Sequence, residues 1–194
     1  MKKILAAVIF LLPLGAMAEK ADALKPVEIN YDGDAHVDQV TQNYTVAGNV
    51  VITRGTMVLH SDRAEVRESP EGYKTVILTA SPGKIATFKQ KRDGGPDLWS
   101  DGQAQRIEYD ERADVVKLFS NAIVRQLEGG RVSTEVRGAF ISYDNRTEVA
   151  DVRNDANGEN KPGQGRGTII LQPHRAPAAG TPAAAAPAAP AGKR

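Results

Sequence analysis

The chain is predicted to be all-β, on three observations. From Lys25 to Leu171 apolar and polar residues alternate with a period close to two. Turn-forming clusters of Gly, Pro, Asn and Asp interrupt the alternation roughly every 8–12 residues. After the first eighteen residues no segment sustains a helical period. Many short strands and no helices imply a sandwich, a jelly roll or a barrel.

The first residues read differently. Lys2 and Lys3 precede a short apolar run, Ile4 to Leu14, and Ala16-Met17-Ala18 is a small-x-small cleavage signal. Residues 1–18 are expected to be a cleavable signal peptide that directs export. The run is too short to span a bilayer and contains Pro13.

Val27, Ile29 and Tyr31 alternate with Glu28 and Asn30 in a first strand. Asp32 to Asp38 reads as an acidic turn holding His36. Tyr44, Val46, Gly48, Val50 and Ile52 then share one face of a long strand, which turns at Gly55. Met57 and Leu59 continue the inward face, but Ala64 and Val66 fall out of phase, which places a bulge or corner near Ser61-Asp62. Turns at Glu71-Gly72 and Ser81-Pro82-Gly83 separate Val76 and Leu78 from Ile85, Ala86 and Phe88. A loop at Arg92 to Pro96 follows, then alternation through Gln105, Ile107 and Tyr109, and through Val116, Leu118, Ala122 and Val124. Val132, Thr134 and Val136 lead to Ile141 and Tyr143, with a second slip at Gly138. Asn154 to Gly167 reads as a mobile loop, Thr168 to Leu171 as a last strand, and the Ala/Pro-rich residues 173–194 as a disordered tail. One domain over residues 19–172 accounts for the rest.

Part of this pattern occurs twice. Val46 to Arg54 is echoed 72 positions later by Leu118 to Gln126, each a small residue followed by Asn and then an apolar strand ending near a glycine turn. Arg106 to Asp110 likewise matches Phe140 to Asp144.

Little in the chain suggests reaction chemistry. The net charge of +1, with both signs interspersed, argues against nucleic-acid binding. Without cysteine there are neither disulfides nor thiolate metal sites. The three histidines lack metal-ligand spacing, and neither the acidic turn nor Asn154 to Gly158 supplies a calcium cage. Gly163 to Gly167 has no strand before it and no helix after it, as a phosphate cradle requires. No nucleophile elbow is present, so no catalytic residue, metal or cofactor is assigned and the chain is read as a non-enzyme. The inward residues are mostly Val, Ile, Leu, Ala and Gly, a pattern that fits either a closed sandwich core or an apolar groove.

Five segments together resemble a known family: Lys25-Pro26-Val27-Glu28-Ile29, Val46 to Thr56, Ser61 to Val66, Gly83 to Phe88, and Phe119-Ser120-Asn121-Ala122. In this order and spacing they are similar to the LptA (OstA) family of periplasmic lipopolysaccharide-transport proteins, over about Leu24 to Leu171. Related domains occur in the inner-membrane anchor LptC and the N-terminal part of the outer-membrane protein LptD. The resemblance implies an open, twisted antiparallel β-jelly roll of about sixteen short strands. It also implies head-to-tail stacking with copies of itself and with LptC-like and LptD-like partners. Lipid A acyl chains of lipopolysaccharide would lie in the apolar interior. On that reading the groove is lined by Val27, Ile29, Val46, Val50, Ile52, Met57, Leu59, Phe88, Ile107, Tyr109, Leu118, Val124 and Tyr143. Val27, Glu28 and Ile29 would form the incoming partner edge, and Thr168, Ile169, Ile170 and Leu171 the outgoing one.

Overall fold

The computed structural model describes Asp22 and residues 24–173, so the expected signal peptide and most of the tail lie outside the described residues. Among the described residues, twelve strands form a single sheet in which every pairing is antiparallel. They are β1 (Glu28–Asn30), β2 (Ala35–Asp38), β3 (Asn43–Arg54), β4 (Met57–Glu68), β5 (Lys74–Thr79) and β6 (Ala86–Lys91). β7 (Leu98–Ala104), β8 (Arg106–Asp110), β9 (Val115–Glu128), β10 (Arg131–Asp144), β11 (Val149–Arg153) and β12 (Thr168–Leu171) complete it.

Four strands, β3, β4, β9 and β10, are 12 to 14 residues long. Each passes through a register shift and contributes a half to each of two layers. Counted as halves, they bring the twelve strands to the sixteen short ones expected. One layer runs β2, β3, β4, β5, β8, β9, β10, β11. The other runs β1, β3, β4, β6, β7, β9, β10, β12.

The repeated sequence step makes the corner between the layers. Ala47 pairs with Arg63 but Val50 pairs with Ser61, so β3 carries one extra residue at Gly48-Asn49. Gly138 pairs with Ala122 but Phe140 with Phe119, so β9 carries one at Ser120-Asn121. All four bulge residues have positive φ: 85° and 43° in the first pair, 63° and 55° in the second. Left-handed backbone is cheapest for Gly and tolerated by Asn, which explains the small-residue/Asn step. The slip expected near Ser61-Asp62 is therefore a corner whose extra residue sits on the neighbouring strand.

Two expectations about loops change. Ala35–Asp38 is the edge strand β2, not a turn; it pairs with Asn43 to Val46, and its exposure leaves no burial period to read. The loop 154–167 is tied by Asn154, whose side chain donates to Lys161 O (2.7 Å) and Gln164 O (3.0 Å) and accepts from Lys161 N (2.8 Å).

Candidate functional site

The site is the space between the layers. The ladder lines up inward residues in rows that cross the sheet from one edge to the other. In the second layer, Ile29, Ile52, Leu59, Phe88, Gly102, Val124, Val136 and Ile169 are successive cross-strand partners. In the first layer, Val37, Tyr44, Val66, Val76, Tyr109, Val116, Tyr143 and Ala150 form one such row. A third runs Ala35, Val46, Ala64, Leu78, Ile107, Leu118, Ile141, Val152. Side chains on one face of neighbouring strands touch across the ladder, so each row is a continuous apolar stripe.

Eleven of the thirteen residues assigned to the groove, Val46, Val50, Ile52, Met57, Leu59, Phe88, Ile107, Tyr109, Leu118, Val124 and Tyr143, are buried in a single cluster. Val27 and Ile29 are half-buried and pack against it. Phe88 lies over Gly102 of the neighbouring strand, where an added Cβ would stand 2.3 Å from its ring. Its ring centroid is 6.3 Å from that of Tyr143 in the opposite layer. The space between the layers is filled by these side chains, with Val50, Leu59, Phe88, Ile107 and Leu118 all at most 1% exposed.

The two long sides of the roll differ. Along the corner, Ala80 N donates to Gln105 O and Gln105 N to Ser120 O, which closes that side with backbone bonds. The opposite side carries the ends of β3, β6 and β9 from one layer and the β8–β9 and β10–β11 turns from the other. Among the described residues, the layers meet here only through side chains. Arg54 Nη2 is 2.7 Å from a Glu111 carboxylate oxygen, and Arg92 Nη1 is 2.6 Å from Glu148. Ser100 and Tyr143 hydroxyls are 2.8 Å apart, and Gln126 donates to Glu148 at 3.5 Å. A cavity of about 330 Å³ opens on this side, with Met57, Gln90 and Arg54 on one wall and Tyr73, Tyr109, Glu111, Arg112 and Arg146 on the other. Asp22 also lines it, accepting from Thr56 N at 2.8 Å and from the Thr56 hydroxyl.

Burial raises the Tyr109 phenol well above its ordinary value, reinforced by the Asp114 carboxylate that accepts its hydroxyl at 3.3 Å. Burial also raises Tyr143, opposed by hydrogen bonds from Ser100 and Gln126. Both hydroxyls stay protonated at neutral pH and serve as fixed hydrogen-bonding groups.

Apart from Thr134, which the alternation places in phase with Val132 and Val136, the polar residues facing the interior were not identified from sequence. Gln90, Ser100, Gln126 and Thr134 are cross-strand neighbours one inward position beyond the Phe88 row. The available signal was the alternation itself: Gln90 and Arg92 continue the phase of Ala86 and Phe88. Of the two expected partner segments, Glu28 and Ile29 lie in β1 with Val27 just before it, and Thr168 to Leu171 form β12. β1 and β12 are each paired on one side only, with β3 and β10. Ile169 and Leu171 are 65% and 72% exposed.

Residues 32–149 match the family model described as LptA/(LptD N-terminal domain) LPS transport protein. The chain is 29% identical over 158 residues to the lipopolysaccharide export system protein LptA of Haemophilus influenzae, covering 81% of this chain and 83% of that one. It is also 29% identical over 140 residues to the protein of the same name from Escherichia coli K12, covering 72% and 71%. The crystal structure of LptH, the LptA-homologous periplasmic component of the lipopolysaccharide transport device of Pseudomonas aeruginosa, superposes with a TM-score of 0.67 at 21% identity. That match covers 78% of this chain and 99% of that one.

Proposed function

Because the chain belongs to the LptA/LptD N-terminal domain family of lipopolysaccharide transport proteins, we propose that it conducts lipopolysaccharide across the periplasm between its two β-layers. The family membership makes it a transport protein rather than an enzyme. The observation that carries the groove reading is the edge-to-edge continuity of the three apolar rows.

The physical need is large. Each methylene removed from water is worth about 0.8 kcal/mol, so a chain of about twelve methylenes costs on the order of 10 kcal/mol to expose. Several such chains on one lipid do not cross an aqueous compartment unaided. A continuous apolar interior removes that cost without chemistry, while the sugar portion stays outside on the side closed only by side chains. The groove residues named from the sequence, from Val27 and Ile29 to Tyr143, are the proposed acyl contacts. Because they fill the interior, cargo enters as the layers part.

Free sheet edges favour β-augmentation by a neighbour. We assign the β1 edge to an LptC-like anchor, and β12 to a further copy or an LptD-like partner. Such head-to-tail contacts do not close and extend into a filament. We read residues 1–18 as the export signal, residues 19–172 as the transport domain and residues 173–194 as a low-complexity tail.

The filled interior favours a second reading, a closed-core adaptor that conducts nothing. A photo-crosslinking residue in place of Phe88 or Leu118 separates the two in transporting cells. Lipopolysaccharide adducts at both positions support conduction, and their absence during active transport leaves the adaptor reading.

A further inference from the structure

We propose that Gln90 and Arg92 form a binding site for the amide linkages that join acyl chains to an amino sugar. The inference rests on the interior being the acyl-chain path.

Both residues are buried, Gln90 at 4% exposure and Arg92 at 8%. Both nevertheless keep polar atoms without hydrogen-bond partners among the described residues: Gln90 Oε1, and Arg92 Nε and Nη2. Arg92 spends Nη1 on Glu148 at 2.6 Å, while its Nη2 stands 4.0 Å from Glu128, beyond hydrogen-bond reach. Buried polar atoms without partners are costly and uncommon in folded proteins, so two adjacent inward residues with three such atoms call for a ligand.

The atoms state its chemistry. Arg92 offers two donor nitrogens, Nε and Nη2, and Gln90 one carbonyl acceptor. An amide supplies the converse, a carbonyl oxygen and an N–H. A plain acyl chain supplies neither. A phosphate supplies acceptors only and leaves Gln90 Oε1 unmatched.

The position agrees. Gln90 lies one inward step beyond Phe88, about 7 Å along the strand, where the apolar row gives way to Gln90, Ser100 and Gln126. It lines the cavity on the side without backbone closure. An acyl chain lying over Phe88 thus has its linkage to the sugar at Gln90 and Arg92. The Arg92–Glu148 contact spans the two layers, so separation of the layers exposes the site as it admits the chain.

The test uses the mature protein and binding of three probes by calorimetry: lipid A, dephosphorylated lipid A, and myristate, which lacks an amide. Gln90→Met removes the acceptor at similar volume, and Arg92→Lys keeps a cation beside Glu148 while removing the spare guanidinium donors. Gln90→Met is expected to leave thermal stability unchanged or raised, since it replaces an unmatched polar group by an apolar one. The double variant is expected to lose about tenfold or more in affinity for both lipid A forms, with myristate unchanged. Unchanged lipid A affinity, or equal weakening of all three probes, overturns the site. Loss confined to the phosphorylated form overturns it in favour of phosphate recognition. Wild-type protein that binds none of the probes overturns the acyl-path reading itself, a result distinct from intact binding that ignores the two substitutions.

Discussion

Arg54 and Glu111 are paired across the side of the roll that has no backbone closure, at 2.7 Å and with side chains only 8% and 15% exposed. They belong to different layers, so the pair is one of the side-chain contacts, with Arg92–Glu148 and Ser100–Tyr143, that hold the two surfaces together along that side. The Glu111 carboxylate also accepts Lys74 N at 2.7 Å, which fixes its position.

Glu111→Gln is expected to destabilise the fold by about 1–3 kcal/mol, because it weakens a charge-assisted contact that is largely buried. Replacing both, Arg54→Met with Glu111→Leu, is expected to recover most of the loss. Urea unfolding of the two variants measures this. Equal losses in the single and double variants would show that the pair is not the source.

Gly102 is the seat of Phe88. A Cβ there would lie 2.3 Å from the Phe88 ring and 3.0 Å from Ile123 O. Gly102→Ala is expected to cost about 1–3 kcal/mol by overpacking, and Phe88→Leu in the same chain to restore part of it. Thermal melts of both variants check the coupling. Independent, additive effects would place the strain elsewhere.

Much of this architecture was legible in the sequence because a strand buried on one face writes its period directly. Leu59, Ile107, Leu118 and Tyr143 were found that way, and all are core. The corner was visible as a phase slip at Ser61, but not the strand that holds the extra residue, since that depends on register with β3. β2 was missed because neither of its faces is buried. Gln90, Arg92 and Ser100 were missed for the opposite reason: their phase was correct, but a polar residue at an inward position reads as loop. The charge contacts between layers, such as Arg92 with Glu148, join residues 56 apart and leave no local trace.

Ser120 occupies the position that Gly48 holds in the first copy of the repeat, at φ 63°. A non-glycine residue in left-handed backbone is strained by about 1–2 kcal/mol, and Gly relieves that while adding freedom to the unfolded chain. Ser120→Gly is therefore expected to be neutral or stabilising by up to about 1 kcal/mol. Gly48→Ala is expected to destabilise by more, since its Cβ would also stand 2.7 Å from Gly33 N. Paired chemical denaturation curves test the asymmetry, and a stabilised Gly48→Ala would contradict it.

Glu135 ties β10 to β9 in the second layer. It accepts from Arg125 Nε and from Arg137 Nε, each at 2.6 Å. The Arg125 hydrogen bond, then Arg137, hold its carboxyl below the ordinary value of 4.5 against the opposing effect of burial. A carboxyl whose folded value is depressed contributes stability that is present above the unfolded value and lost as pH falls through the folded one. Stability is expected to hold from neutral pH to about 5 and to decline below about 4.5. Glu135→Gln should be less stable at pH 7 and lose less on acidification. An unchanged acid slope would assign the decline to other carboxylates, such as Glu65 beside Arg67.

Ile169 ends the apolar row that begins at Ile29. It pairs with Val136 and is 65% exposed because, among the described residues, no strand lies beyond β12. A second copy whose β1 pairs with β12 would continue the row from Ile169 to its own Ile29, burying both. Ile169→Asp puts a charge into that junction but leaves the monomer's core untouched, so its effect on folding should stay within about 0.5 kcal/mol. Assembly should fall steeply, because an unpaired carboxylate would be desolvated at the contact. Light scattering coupled to size-exclusion chromatography, at concentrations where the wild type forms multimers, reads the result. A variant that melts like the wild type and runs as a monomer supports edge pairing through β12. One that still assembles shows that the filament, and with it the continuity of the apolar row between copies, runs through a different surface.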